Sequence, residues 1–222
     1  MIISGGILYW MIYGNLYQKH PPRKGLTVSS FLVGTGSFEA TYFSLGSHTS
    51  ISRESYPVFH LYVCLGGELL LDSDKKEKLC AFDCFLCRPD VLIGMDSLSG
   101  TGYIDVLLKE DHIRMNDNIQ AGKVFHLADL VDYEEDSVVN MDVMHNDKMK
   151  LAVMAFDKGQ SLSAHKAPGD AVLFILEGEA VISYEGKDYT VKKGDEFCFK
   201  KNGLHALKAT ERFKMALLLS LD

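Results

Sequence analysis

The side chains in this chain best suited to metal or nucleophilic chemistry are five cysteines, Cys64, Cys80, Cys84, Cys87 and Cys198. The run Cys80, Cys84, Cys87 invites a zinc reading, because closely spaced thiolates hold Zn2+ tetrahedrally. Cys84 and Cys87 differ by an odd number along an apparent strand, however, so their side chains point to opposite faces, and no matching pair follows at zinc-ribbon spacing. The three are therefore expected as buried, small apolar residues. Nothing near Cys198 in sequence would lower its pKa, so no nucleophilic role is expected there. His145, in His145-Asn146-Asp147, reads as part of a surface turn. An odd cysteine count without an export signal suggests reduced thiols and a cytoplasmic location.

The elements that would have to position any such site are strands. The C-terminal half reads as strands at 170–176, 179–184, 187–191 and 196–199, with turns at Glu177-Gly178, Glu185-Gly186 and Lys193-Gly194-Asp195. Turn signals at this close, even spacing, between runs rich in Val, Ile, Phe and Tyr, indicate a sandwich or barrel. Sliding the chain along itself by 111 residues places Leu65-Gly66-Gly67-Glu68 on Leu176-Glu177-Gly178-Glu179 and Pro57 on Pro168. One further residue of shift sets Asp83-Cys84-Phe85 on Asp195-Glu196-Phe197. The repeat predicts two similar β-domains, residues 1–115 and 116–222, joined through a polar stretch around 110–123. A short helical turn is expected within 124–133 before the second domain.

Composition narrows the function classes. At 222 residues the chain has room for two small cores, and 47% hydrophobic with 24% charged residues is ordinary for a globular protein. The net charge of -7 argues against a nucleic-acid partner, which needs a clustered basic face. The densest basic run, Lys75-Lys76-Glu77-Lys78, reads as a solvated hairpin tip. Residues 1–13 (MIISGGILYWMIY) are apolar but lack a basic segment and are too short to span a bilayer. They are expected as a strand covering a barrel or a dimer partner, not as a membrane anchor, and Met11 is an alternative translation start.

Gly159-Gln160-Ser161-Leu162-Ser163-Ala164-His165, Pro168-Gly169-Asp170 and Leu176-Glu177-Gly178-Glu179 resemble the first motif of the cupin superfamily. Gly194-Asp195 with Asn202-Gly203-Leu204-His205 resembles the second. The match is similar to small bacterial conserved-barrel proteins, and the N-terminal half resembles the same barrel weakly. The resemblance implies an all-β protein of two tandem jelly-roll barrels, the first degenerate, with function in the second or at the interface.

In metal-binding cupins the first motif supplies two histidines at i and i+2 and a glutamate, and the second a third histidine. By that resemblance His165 and His205 fill two positions, while Ala167 and Ala171 stand where a histidine and the carboxylate belong. Two imidazoles alone make a poor divalent site. Asp170 joins the candidates if a bulge at Pro168-Gly169 re-aims it, giving a His-Asp-His set for a transition metal. The alternative is that Asp170 caps the strand entry or pairs with Lys166. In the first half the corresponding places hold Glu54, Tyr56, His60 and Ile93, expected as a structural polar pair or simple burial in an apolar lining.

Three functions remain open at this point. The leading expectation is a non-catalytic, small-molecule-binding or sensing protein using His165, His205 and Asp170, with no catalytic residue and no assured metal. The second is a metal-dependent isomerase, decarboxylase or dioxygenase, with His165 and His205 as metal ligands beside Asp170. The third is a structural or interaction role. A homodimer is expected, through sheet edges or faces, with neither nucleic acid nor membrane as partner.

Overall fold

The computed structural model describes residues 13–109 and 112–221, and the expectation for residues 1–12 lies outside them. Four antiparallel sheets make two barrels. In the first, a six-stranded sheet is ordered Val124–His126, Asp83–Cys87, Phe59–Gly67, Thr101–Leu108, Phe38–Leu45, Thr27–Gly34. It closes on a four-stranded sheet ordered Thr49–Glu54, Ile93–Ser97, Leu69–Asp72, Lys76–Leu79. In the second, Tyr13–Gly14, Glu196–Phe199, Ala171–Glu177, Phe213–Ser220, Met149–Phe156, Val138–His145 and Arg114–Met115 form a seven-stranded sheet. Its four-stranded partner is ordered Ser161–Lys166, Leu204–Ala209, Glu179–Tyr184, Lys187–Lys192. Of the basic run, Lys75 lies in the turn of the Leu69–Asp72 and Lys76–Leu79 hairpin as expected, while Lys76, Glu77 and Lys78 continue along its second strand with both lysines exposed.

The central strands of the large sheets are buried on both faces, so they read as continuous apolar runs. Along Ala171–Glu177, Ala171, Leu173 and Ile175 face the interior of the second barrel. Val172, Phe174 and Leu176 face the other way and pack with Leu61, Val63, Ile104 and Val106 of the first barrel. Alternation with a period of two thus gives each barrel its own core and makes a third core between them. Cys84 belongs to the core between barrels and Cys87 to the interior of the first, the opposite faces that their odd spacing predicts. Cys80 differs from expectation: it is exposed, because it lies in the turn before the strand.

The repeat extends to the irregularities. His165 pairs with His205 after a register shift following Leu162, and Glu54 pairs with Ile93 after a shift following Ile51. The same bulge at positions 111 residues apart is strong internal support for duplication.

Edge strands are exchanged across the expected cut at 115/116. Tyr13–Gly14 and Arg114–Met115 extend the second barrel's sheet, whereas Val124–His126 extends the first's. A 3-10 turn, Leu127–Leu130, then leads to the second barrel, in the place where a helical turn is expected. Covering each sheet edge with chain from the other half satisfies its backbone groups and ties the barrels together. The N-terminal strap continues into the helix Leu16–Lys19, whose first turn is capped by Asn15 Oδ1 accepting from Gln18 N–H at 2.7 Å.

Candidate functional site

A cavity of about 260 Å3 lies inside the second barrel, between its two sheets. Strand alternation directs Ala171, Leu173, Leu217 and Leu219 into it from the large sheet, and Leu162 and Leu207 from the small one. Met154 and Met215, register partners on neighbouring strands, add two thioethers. Polarity is confined to one end, where His165 and His205 face each other across the strand pair with ring centroids 4.2 Å apart. Phe199 stacks on His205 at 4.0 Å. Ala167 and Ala171, the two positions without a donor, also line the cavity. The four motif positions therefore converge as the resemblance implies, with two imidazoles and two methyl groups.

The turn at 200–203 sets this end. Gly203 N–H donates to the Lys200 carbonyl at 2.8 Å, and Asn202 takes a positive φ of 67°. Asn202 N–H donates to the Ala167 carbonyl at 2.8 Å, and Ala167 N–H to the Gly203 carbonyl at 3.1 Å, clamping the two histidine strands together. A Cβ on Gly203 would come within 2.6 Å of the Tyr184 ring, so the turn needs glycine there.

Each imidazole spends the same nitrogen on the backbone. His165 Nδ1 lies 2.8 Å from the Ser163 carbonyl and His205 Nδ1 3.1 Å from that of Gly203. A carbonyl can only accept, so both Nδ1 atoms carry the proton and the Nε2 atoms are left for a ligand. Burial pushes the His205 pKa down; the Gly203 carbonyl partly offsets this, and His165 adds to it. His205 is thereby held as a neutral hydrogen-bond acceptor, while His165 lies exposed at the cavity mouth.

Asp170 does not join them. Its carboxylate accepts from Lys200 Nζ at 2.7 Å and Lys201 N–H at 2.8 Å, outside the cavity wall. The bulge expected at Pro168-Gly169 does not turn it inward: Gly169 packs against the Ser220 carbonyl, and the Asp170 carbonyl accepts the Ser220 N–H at 2.8 Å. Its partner is Lys200, not the Lys166 expected as the alternative. His145 ends the Val138–His145 strand opposite Lys150, away from the cavity lining.

The donor set does not fit a catalytic transition metal. Three protein ligands are the usual minimum, and here Ala167 and Ala171 offer none while Asp170 is engaged elsewhere. Among the described residues no group of three or more His, Cys, Asp or Glu side chains could hold a metal ion.

The first barrel carries larger and more polar side chains at the matching positions. Where the second has Leu173 paired with Leu217 and Ile175 with Met215, the first has Tyr62 with Asp105 and Cys64 with Tyr103. His60 Nδ1 bonds Asp105 Oδ1 at 2.8 Å, and the Tyr56 ring covers His60 at 4.5 Å while its hydroxyl donates to Glu54. The polar pair expected from His60 and Glu54 is replaced: Glu54 takes the Tyr56 hydroxyl, and His60 takes Asp105, a residue the sequence did not single out because it lies 45 positions away on the partner strand. A second unforeseen group is Glu196, whose buried carboxylate accepts the Leu16 N–H at 2.9 Å. Its type and position on a strand carry no signal of the strap above it.

Comparison with known proteins agrees with this geometry. Residues 152–221 match the family model described as Cupin domain. A protein of Thermotoga maritima named oxalate-binding protein is 35% identical over 75 residues, 33% of this chain. The chain spans 61% of that relative's length. Among solved structures, a Cupin 2 conserved barrel domain protein from Leptotrichia buccalis is 26% identical with a TM-score of 0.83, covering 94% of this chain and 95% of that one. Salicylate 1,2-dioxygenase from Pseudaminobacter salicylatoxidans shares the fold at 13% identity and a TM-score of 0.63, over 86% of this chain and 75% of its own. With the repeated barrel, the shared bulge and the converging motif positions, these matches show a Cupin domain at residues 152–221 and the fold of cupin barrel proteins along the chain.

Proposed function

We propose that this is a non-catalytic small-molecule-binding or sensing protein whose receptor is the second-barrel cavity. The observation that carries the reading is the one-ended polarity of the site: an apolar, ligand-sized space closed by two imidazoles, neither of them bonded to a carboxylate that would make it a general base. The name of the Thermotoga maritima relative supports binding as a class of function. No lysine or arginine lines this cavity to match a dianion such as oxalate. All five cysteines are free, which supports the cytoplasmic location that the reading includes.

The test is a thermal-shift screen of small acids, alcohols, amines and phenols against the wild type and Ala171→Phe, which fills the cavity. At least one compound should raise Tm of the wild type and not of the variant. A stoichiometric transition metal in the purified protein, lost in His205→Ala, would refute the reading. Self-association belongs to the same proposal and is supported by exposed Leu26, Val28 and Phe31 at the edge strand Thr27–Gly34. Light scattering should give twice the monomer mass at micromolar concentration, and a monomer mass would remove this part.

A further inference from the structure

We propose that the second-barrel cavity takes a neutral, ring-sized apolar molecule carrying one hydrogen-bond donor, a hydroxyl or amino group, which bonds Nε2 of His205. This rests on the binding reading above and names the ligand class for that site. Three observations converge on it.

The first is the wall. Leu162, Leu173, Leu207, Leu217 and Leu219 enclose most of the space, and a charged or multiply hydroxylated ligand would lose its hydration there without compensation. The second is the direction of the polar groups. Both Nδ1–H groups donate to backbone carbonyls, so a neutral imidazole offers only the Nε2 lone pair. A lone pair selects a donor; a carboxylate, with acceptors alone, requires the imidazole to be protonated first. Burial of His205 opposes that protonation. The third is shape: Phe199 stacked on His205 and the thioethers of Met154 and Met215 are surfaces that favour a flat ring.

The charged groups around this end leave the argument intact. His165 is the facing titratable group in the cavity. Glu185 accepts the Leu204 N–H at 2.6 Å on the far side of the strand, and Asp170 is paired with Lys200 at the rim. Lys166 is exposed at the end of the His165 strand, beyond the cavity lining.

The probes are 4-methylphenol, its methyl ether 4-methylanisole, benzoate and oxalate, titrated calorimetrically into the full chain at pH 7.5, 6.5 and 5.0. The phenol should bind at least about tenfold more tightly than the ether, the worth of one hydrogen bond in a dry site. Its affinity should hold from pH 7.5 to 6.5, then weaken by up to about tenfold per pH unit once His205 takes up a proton. In His205→Phe, which keeps the ring, the preference for phenol over ether should vanish while the ether still binds.

Benzoate or oxalate binding more tightly than the phenol, with affinity rising as pH falls, would overturn the ligand class and leave the binding reading standing. Equal affinity for phenol and ether would overturn the role of His205. No binding of any probe, with no probe shifting Tm, would overturn the class, whereas the binding reading itself fails only if the broad screen is also empty.

Discussion

Replacing Glu196 by Gln should stabilise the protein at pH 8 and remove the decline in stability that this carboxylate causes between pH 5 and 8. Glu196 is 1% exposed beneath the N-terminal strap. One carboxylate oxygen accepts the Leu16 N–H and the other is buried without a partner. Burial raises its pKa from the ordinary 4.5 to about 8; the Leu16 N–H opposes this and Asp195 adds to it. The unfolded chain therefore releases this proton near pH 4.5 and the folded chain near pH 8. Between those values the folded state holds the extra proton, so the stability present below pH 4.5 declines as pH rises and levels off above 8. At roughly 1.4 kcal/mol per pH unit the interval corresponds to at most about 5 kcal/mol, and water reaching the carboxylate would reduce it to a few kcal/mol. Asp142 and Asp157 are held low and change only in acid. His205, held below 6.5 by burial, adds an opposing gain in stability as pH rises toward 6.5, which cancels in the difference between wild type and Glu196→Gln. Urea unfolding of wild type and Glu196→Gln at pH 5.0, 6.5 and 8.0 measures it. Parallel pH profiles, or a Gln variant less stable than wild type at pH 8, would refute the reasoning.

Other outcomes follow from the same structure. Asp105→Asn should cost about 1–3 kcal/mol in urea unfolding, because buried His60 loses its charged partner; an unchanged midpoint would mean the pair contributes nothing. Gly178→Ala should be far more damaging than Gly186→Ala. Both have positive φ, but a Cβ at 178 would lie 1.8 Å from the Arg212 carbonyl, whereas nothing lies within 4 Å at 186. Thermal melts should show a loss of about 1 kcal/mol at 186 and 3 kcal/mol or more at 178. Asp170→Asn should leave the affinity of any cavity ligand within about twofold, since the carboxylate faces Lys200 outside the cavity; a loss beyond tenfold would return Asp170 to the site.

Most of the strand pattern is legible in the chain because strand and turn propensities are local. Glu179–Tyr184 and Glu196–Phe199 fall at the expected residues, and Ala171–Glu177 is displaced by one. Turn glycines and β-branched runs act within a few residues, so they can be read without a fold. The parity argument at Cys84 and Cys87 succeeds for the same reason, and Cys80 departs from it because parity holds only inside a strand. Asp170 was the least legible position. Its side chain follows the turn at Lys200-Lys201, thirty residues on, and not its own strand's alternation.

By itself, then, the chain indicated the all-β class and the duplicated barrel, while the bringing together of His165 and His205 was implied by the resemblance to cupins. The first two follow from local periodicity and from the 111-residue repeat; that the repeat carries the same bulge twice is a finding of the structure. Only the tertiary structure showed that the second barrel holds a cavity. Ala171, Leu173 and Leu217 line that cavity, while His60, Tyr62 and Asp105 stand at the matching positions in the first barrel. It also decided which groups are buried together, such as Glu196 under the strap and His60 against Asp105. Such pairings join residues tens to nearly two hundred positions apart, and their energies come from desolvation, which depends on what the folded chain places around them.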